Sequence, residues 1–118
     1  MSANGLPGIF ASLLCIYARR RLRKINTCSI GGIDLIDFAG KIALVTGGGV
    51  GIGRATCEAF AKASATVVTI EKDAARAAEV RAALGEGHVV VEGDVTVQAD
   101  VDALARAVAG RFGGLDML

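Results

Sequence analysis

From residue 41 onward the chain alternates between two hydrophobic patterns. Residues 41–46 (KIALVT), 65–71 (ATVVTIE) and 88–92 (HVVVE) carry apolar, mostly β-branched side chains at consecutive positions. That is the mark of short strands buried on both faces. The stretches between them have helical spacing. Over 51–63, Ile52, Ala55, Ala59 and Ala63 fall on one face with Phe60 beside them, and Glu58 and Lys62 pair at i,i+4 on the outer face. Over 73–84 the core face is Ala77, Val80 and Leu84, and Gly85 is placed to cap the C-terminus. Thr96 is the expected N-cap of a third helix, with Asp100 and Asp102 near its positive end. Its core stripe is Val97, Val101, Leu104, Val108 and Phe112. Gly113 and Gly114 stop it, and residues 115–118 open another apolar run. The order β-α-β-α-β-α-β, with the last strand only begun, predicts an α/β fold: a parallel sheet with helices on both faces.

The first forty residues have a different texture. One apolar run, residues 9–18, ends at Arg19, Arg20, Arg21, Arg23 and Lys24. Five basic against two acidic groups give this part a net charge of +3, and eight against ten give residues 41–118 a net of −2. The overall +1 conceals that asymmetry, and it supplies no global field to attract nucleic acid or an anionic membrane. The apolar run is about half of the ~20 residues that span a bilayer. Its positive charge follows the run, whereas a secretory signal has it in front. Residues 1–36 are therefore expected to be an extension unrelated to the domain. Membrane contact through residues 1–24 is the lesser alternative, with the arginines on the cytoplasmic side. Residues 37–118 are expected to form one partial domain.

Composition narrows the class. A chain of 118 residues suits a single domain, and 53% hydrophobic residues with near-zero net charge exclude a disordered one. Cys15, Cys28 and Cys57 have spacings that fit neither a disulfide framework nor a metal site, so a reduced, cytoplasmic setting is expected.

The chemistry concentrates in Thr46-Gly47-Gly48-Gly49-Val50-Gly51-Ile52-Gly53, between a predicted strand and a predicted helix. A helix N-terminus offers free N–H groups and a positive dipole end to a pyrophosphate. Gly47 would allow the tight turn, Gly51 the close approach of phosphate to backbone, and Gly53 the close packing of helix on strand. No Gly-Lys-Ser/Thr follows, which excludes a nucleoside-triphosphate P-loop. Glu71 closes the second strand, where an acid can bond an adenosine ribose and repel a 2′-phosphate. Lys72 beside it works in the opposite sense. Asp94-Val95-Thr96 follows the third strand and can border an adenine pocket. His88, at the mouth of a strand, reads as a solvated or hydrogen-bonded side chain, not a catalyst.

Taken together these residues resemble the short-chain dehydrogenase/reductase family. Thr46, Gly47, Gly51 and Gly53 match its Thr-Gly-x-x-x-Gly-x-Gly loop, and residues 41–45 its first strand. Glu71 falls at its ribose acid, Asp94-Val95-Thr96 at its adenine-side motif, and residues 112–116 at the approach to its fourth strand. The resemblance covers about residues 37–118. It implies a Rossmann-like sheet cut after the start of the fourth strand. It further implies that Gly47, Gly51, Ile52, Gly53, Glu71, Asp94 and Val95 border a dinucleotide. The cofactor implied is NAD rather than NADP, because Val50 stands where NADP-preferring members carry a basic residue. Ser64 replaces the family's usual Gly before the second strand, a change expected to tighten or strain that turn.

The family's Asn-Asn-Ala-Gly, its Ser and its Tyr-x-x-x-Lys pair are missing from these 118 residues, and Tyr17 is the only Tyr. No catalytic or metal-binding residue is therefore assigned, and no oligomeric state follows. The expectation is the cofactor-binding part of an oxidoreductase, inactive alone. The alternatives are a non-catalytic nucleotide-binding or membrane-tethered module, or a truncated product without function.

Overall fold

A computed structural model of the chain describes residues 26–30 and 33–118. The expectations for residues 1–24 lie outside the described residues. Two strands come first, β1 (Asn26–Ile30) and β2 (Ile33–Asp37), paired antiparallel from Asn26↔Asp37 to Ile30↔Ile33. This pair falls largely in the stretch, residues 1–36, expected from sequence to be an extension unrelated to the domain. β2 also runs across the boundary expected between residues 36 and 37.

The main body alternates as its hydrophobic pattern requires. β3 (Ile42–Thr46), β4 (Thr66–Glu71) and β5 (Val89–Glu92) form a parallel sheet in the order β3-β4-β5. The intervening helices are α1 (Gly51–Lys62) and α2 (Ala74–Leu84), and α3 (Gln98–Phe112) follows β5. After α3 the chain crosses to the far side of β3, where Met117 forms a parallel bridge to Ala43. The sheet thus reads β5-β4-β3-Met117, and strand order reverses between β3 and the Met117 segment. In open parallel sheets a ligand crevice lies at that reversal, outside the C-terminal ends of the strands.

Alternation along the strands divides the core. Ile42, Leu44, Val68 and Ile70 pack with Val101, Leu104, Ala105 and Val108 of α3 and with Leu115 in one buried cluster. The opposite face carries Val67 and Thr69, and α1 and α2 lie on β4 there. β4 is central and covered on both sides, so every residue from Val67 to Glu71 is buried. A strand in that position has to be β-branched and continuous, which is why its pattern is so legible.

Two details of the helices depart from expectation. The Ile52, Ala55 and Ala59 face of α1 is turned outward, with Ile52 88% exposed. The buried residue of α1 is Cys57, while the Phe60 ring meets Phe38 at 5.4 Å. The apolar stripe is real, but the side that meets the sheet is the one carrying Gly53, which approaches the Gly47 carbonyl, and the buried Cys57. Second, α3 is N-capped by Val97 without a side-chain bond, and not by Thr96. The Thr96 N–H and hydroxyl both donate to Asp94 Oδ1 instead, at 2.8 and 2.7 Å. Val97 consequently lies outside the core, 45% exposed. The glycine caps are as expected: the N–H of Gly85 donates to Arg81 and that of Gly113 to Ala109.

Ser64 has φ of 70°, the only positive φ at a non-glycine among the described residues. A Cβ in that region costs about 1–2 kcal/mol, part of which Gly would return as chain entropy in the unfolded state. Ser64→Gly should therefore raise unfolding stability by up to about 1 kcal/mol in urea denaturation. Asp116 fixes the last segment: its Oδ2 accepts the Ile42 N–H at 2.8 Å in a buried setting. Asp116→Ala strands that N–H and should cost about 1–3 kcal/mol in the same assay.

Candidate functional site

The C-terminal ends of β3, β4 and β5 bring the sequence-predicted residues to one edge of the sheet. Thr46 of β3 pairs with Ile70 of β4, and Glu71 with Glu92 of β5. The glycine loop leaves β3 at that level, Glu71 ends β4 beside it, and Gly93 and Asp94 follow β5, with the Gly93 N–H donating to the Glu71 carbonyl at 3.1 Å. Gly47, Gly51, Gly53, Glu71 and Asp94 thus lie along one rim.

Glycine is required in this loop for different reasons at different positions. Gly47 and Gly51 have φ of 68° and 58°, and a Cβ at either would project into open space. None of the described residues occupies the outer side of the loop at those two positions. At Gly53 a Cβ would run into the Gly47 carbonyl, so this helix residue must be glycine for α1 to start so near β3. Val50, the N-cap of α1, contributes no side-chain bond. The first-turn N–H groups at Gly51, Ile52 and Gly53 have no carbonyl one turn earlier to accept them. Ile52 would therefore act through its backbone, its side chain being exposed.

The inner side of the loop is tied to β4. The N–H of Gly47 donates to the Ile70 carbonyl at 3.0 Å, that of Gly48 to Thr69 Oγ1 at 3.1 Å, and that of Gly49 to Glu71 Oε2 at 3.0 Å. Glu71 is 6% exposed, and its other oxygen accepts the Asp73 N–H at 3.1 Å. Each carboxylate oxygen keeps acceptor capacity after one such bond. Beneath the loop, Cys57 lies against Gly48, and burial pushes its thiol pKa up, which keeps it neutral.

On the β5 side Asp94 anchors the turn into α3. Its N–H donates to Asp100 Oδ2 at 2.8 Å. The Thr96 backbone N–H, helped by the Thr96 hydroxyl, holds the Asp94 carboxyl below its ordinary range. Asp94 is thus ionised at neutral pH and engaged with its own loop, and the neighbouring Val95 is exposed. On the other side, a groove of about 490 Å³ runs from Thr46, Ile52 and Gly53 to Met117 and Leu118, at the point where strand order reverses. His88 takes no part: its Nδ1 accepts the Val67 N–H at 3.0 Å, at the opposite end of the sheet. No cluster of His, Cys, Asp or Glu fit to hold a metal exists among the described residues. Thr69 is the residue that sequence reasoning missed, because a buried Thr in a β-branched run is indistinguishable from strand propensity.

Comparison with known proteins agrees with this geometry. The family model for short chain dehydrogenases matches residues 41–118. A cis-2,3-dihydrobiphenyl-2,3-diol dehydrogenase of Pseudomonas sp. (strain KKS102) is 45% identical over 78 residues, covering 66% of this chain and 28% of that protein. A galactitol 2-dehydrogenase of Agrobacterium fabrum is 44% identical over 78 residues, covering 66% of this chain and 30% of the relative. Among solved structures, a 3-ketoacyl-(acyl-carrier-protein) reductase from Brucella melitensis complexed with NADH superposes with a TM-score of 0.63 at 38% identity, over 67% of this chain and 32% of that one. The chain spans about a third or less of the length of these proteins. With the family model matching 78 consecutive residues through the glycine loop and all three parallel strands, the chain belongs to the short-chain dehydrogenase family of oxidoreductases.

Proposed function

We propose that residues 41–118 form the adenosine and pyrophosphate side of an NAD site in an oxidoreductase that transfers hydride between the nicotinamide and an alcohol or carbonyl. The observation that carries this reading is the glycine loop with Gly47 and Gly51 open on its outer side and the buried Glu71 carboxylate beside it. A pyrophosphate fits that cradle: glycine keeps Cβ atoms out of its way, and the first-turn N–H groups of α1 supply donors and a positive dipole end. In this reading Gly51, Ile52 and Gly53 hold the phosphates through their backbone. Glu71 accepts from the adenosine ribose hydroxyls, and Asp94 and Val95 border the adenine. The dinucleotide, when bound, supplies the hydride.

No residue of this chain is assigned to the proton transfer that accompanies hydride transfer. A Tyr-x-x-x-Lys pair would perform it in the family, and Tyr17 is the only Tyr of these 118 residues. We therefore expect these residues by themselves to bind cofactor without turning over substrate. The reduced, cytoplasmic setting belongs to the same proposal and rests on the spacings of Cys15, Cys28 and Cys57, which fit no disulfide framework. No helix among the described residues is long and apolar enough to cross a membrane.

Titration with NADH, read by cofactor fluorescence, should give saturable binding. Gly53→Ala, which forces the Gly47 carbonyl to move, should weaken it about tenfold or more, ~1.4 kcal/mol per decade. Absence of any change at millimolar NADH would sink the proposal. NADH should also bind more tightly than NADPH, by about tenfold or more, since a 2′-phosphate would approach the Glu71 carboxylate. Glu71→Gln should narrow that ratio, and an unaltered ratio would show that Glu71 does not choose the cofactor.

A further inference from the structure

We propose that Thr69 is a positioning residue for the dinucleotide loop: its hydroxyl fixes the turn from β3 into the loop before any cofactor arrives. The inference rests on the dinucleotide reading above, but its structural half is testable without cofactor.

Thr69 has no exposed surface, so it cannot itself touch a ligand. Its Oγ1 nevertheless joins two points three residues apart on the neighbouring segment. It donates to the Val45 carbonyl at 2.6 Å and accepts the Gly48 N–H at 3.1 Å. A hydroxyl has one proton, and here that proton is directed at Val45, so the lone pairs are what remain for Gly48. The two bonds together set the angle at which the chain leaves β3. Space enforces the same arrangement: a Cβ on Gly48 would collide with the Thr69 hydroxyl and approach the Cys57 sulfur at 2.8 Å. Glycine at 48 and Thr at 69 are therefore complementary.

The consequence reaches the ligand side through the backbone. The N–H groups of Gly47, Gly48 and Gly49 all turn inward to β4, the first to a carbonyl, the second to Thr69 and the third to Glu71. With three successive amides held inward, the chain enters α1 with its first-turn N–H groups at 51–53 aligned for an anion. Losing the Thr69 acceptor would leave the Gly48 N–H buried and unsatisfied, and the loop would turn to find water or another acceptor. The cofactor would then have to reorder the loop on binding, which lowers its apparent affinity. Thr69 acts at the pyrophosphate end and Glu71 at the ribose, so their substitutions should have different signatures.

The test pairs amide hydrogen exchange with cofactor titration on the full chain. In the unliganded wild-type protein the Gly48 amide should be protected like the β4 amides. Thr69→Val, which keeps the shape and deletes the hydroxyl, should lose protection selectively at Gly48. It should weaken NADH and NADPH by the same factor, about five- to tenfold. Thr69→Ser should restore both. Rapid Gly48 exchange in the wild type overturns the proposal even if Thr69→Val fails to fold. So does wild-type NADH affinity in Thr69→Val, or a failure of Thr69→Ser to restore it. If the wild type binds no dinucleotide while Gly48 is protected and Thr69→Val releases it, the loop clamp stands and the dinucleotide reading fails.

Discussion

Everything in this fold that bears on function depends on β4 being buried from Val67 to Glu71. A strand enclosed by neighbours on both edges and helices on both faces has its backbone fixed by parallel ladders on each side. Its C-terminal residues are then rigid reference points. Ile70, Thr69 and Glu71 use that rigidity to hold three successive amides of the glycine loop. A glycine-rich segment would otherwise lose more conformational entropy on ordering than any other. Here neighbouring acceptors offset that cost, and the loop's conformation is set by the sheet.

The same constraint explains the division of labour among polar groups at the rim. Glu71 is buried, and its two carboxylate oxygens serve the Gly49 and Asp73 N–H groups. Asp94, by contrast, is engaged with the Thr96 N–H and hydroxyl, and it shapes the turn through which the chain enters α3. Each acid has a structural task that holds it in place, and the ligand task proposed for it would use the acceptor capacity left over.

Much of this was legible in the sequence, for identifiable reasons. The parallel strands declared themselves because burial on both faces demands unbroken β-branched runs such as VVTIE. The glycine loop was legible from its context between strand and helix, and the strain at Ser64 from a side chain at a turn that calls for glycine. The β1–β2 pair was missed because Asn26–Ile30 and Ile33–Asp37 carry no comparable run. The outward face of α1 was misleading because alanine is compatible with either side of a helix, and the single buried Cys57 decided the matter. Thr96 looked like an N-cap, but Asp94, two residues earlier, competes for its N–H and hydroxyl and moves the cap to Val97. Thr69 could not be singled out from spacing alone, since its role arises from a bond 21 residues away in the chain.

The central claim is that the outer side of this preformed loop receives a dinucleotide pyrophosphate. The most direct measurement is an amide chemical-shift titration of the 15N-labelled full chain with NADH. The account predicts saturable shifts centred on Gly51, Ile52 and Gly53, extending to Glu71 and Asp94, with the amides around His88 unmoved. Shifts that do not saturate, or that fall elsewhere on the sheet while the 51–53 amides stay still, would contradict it.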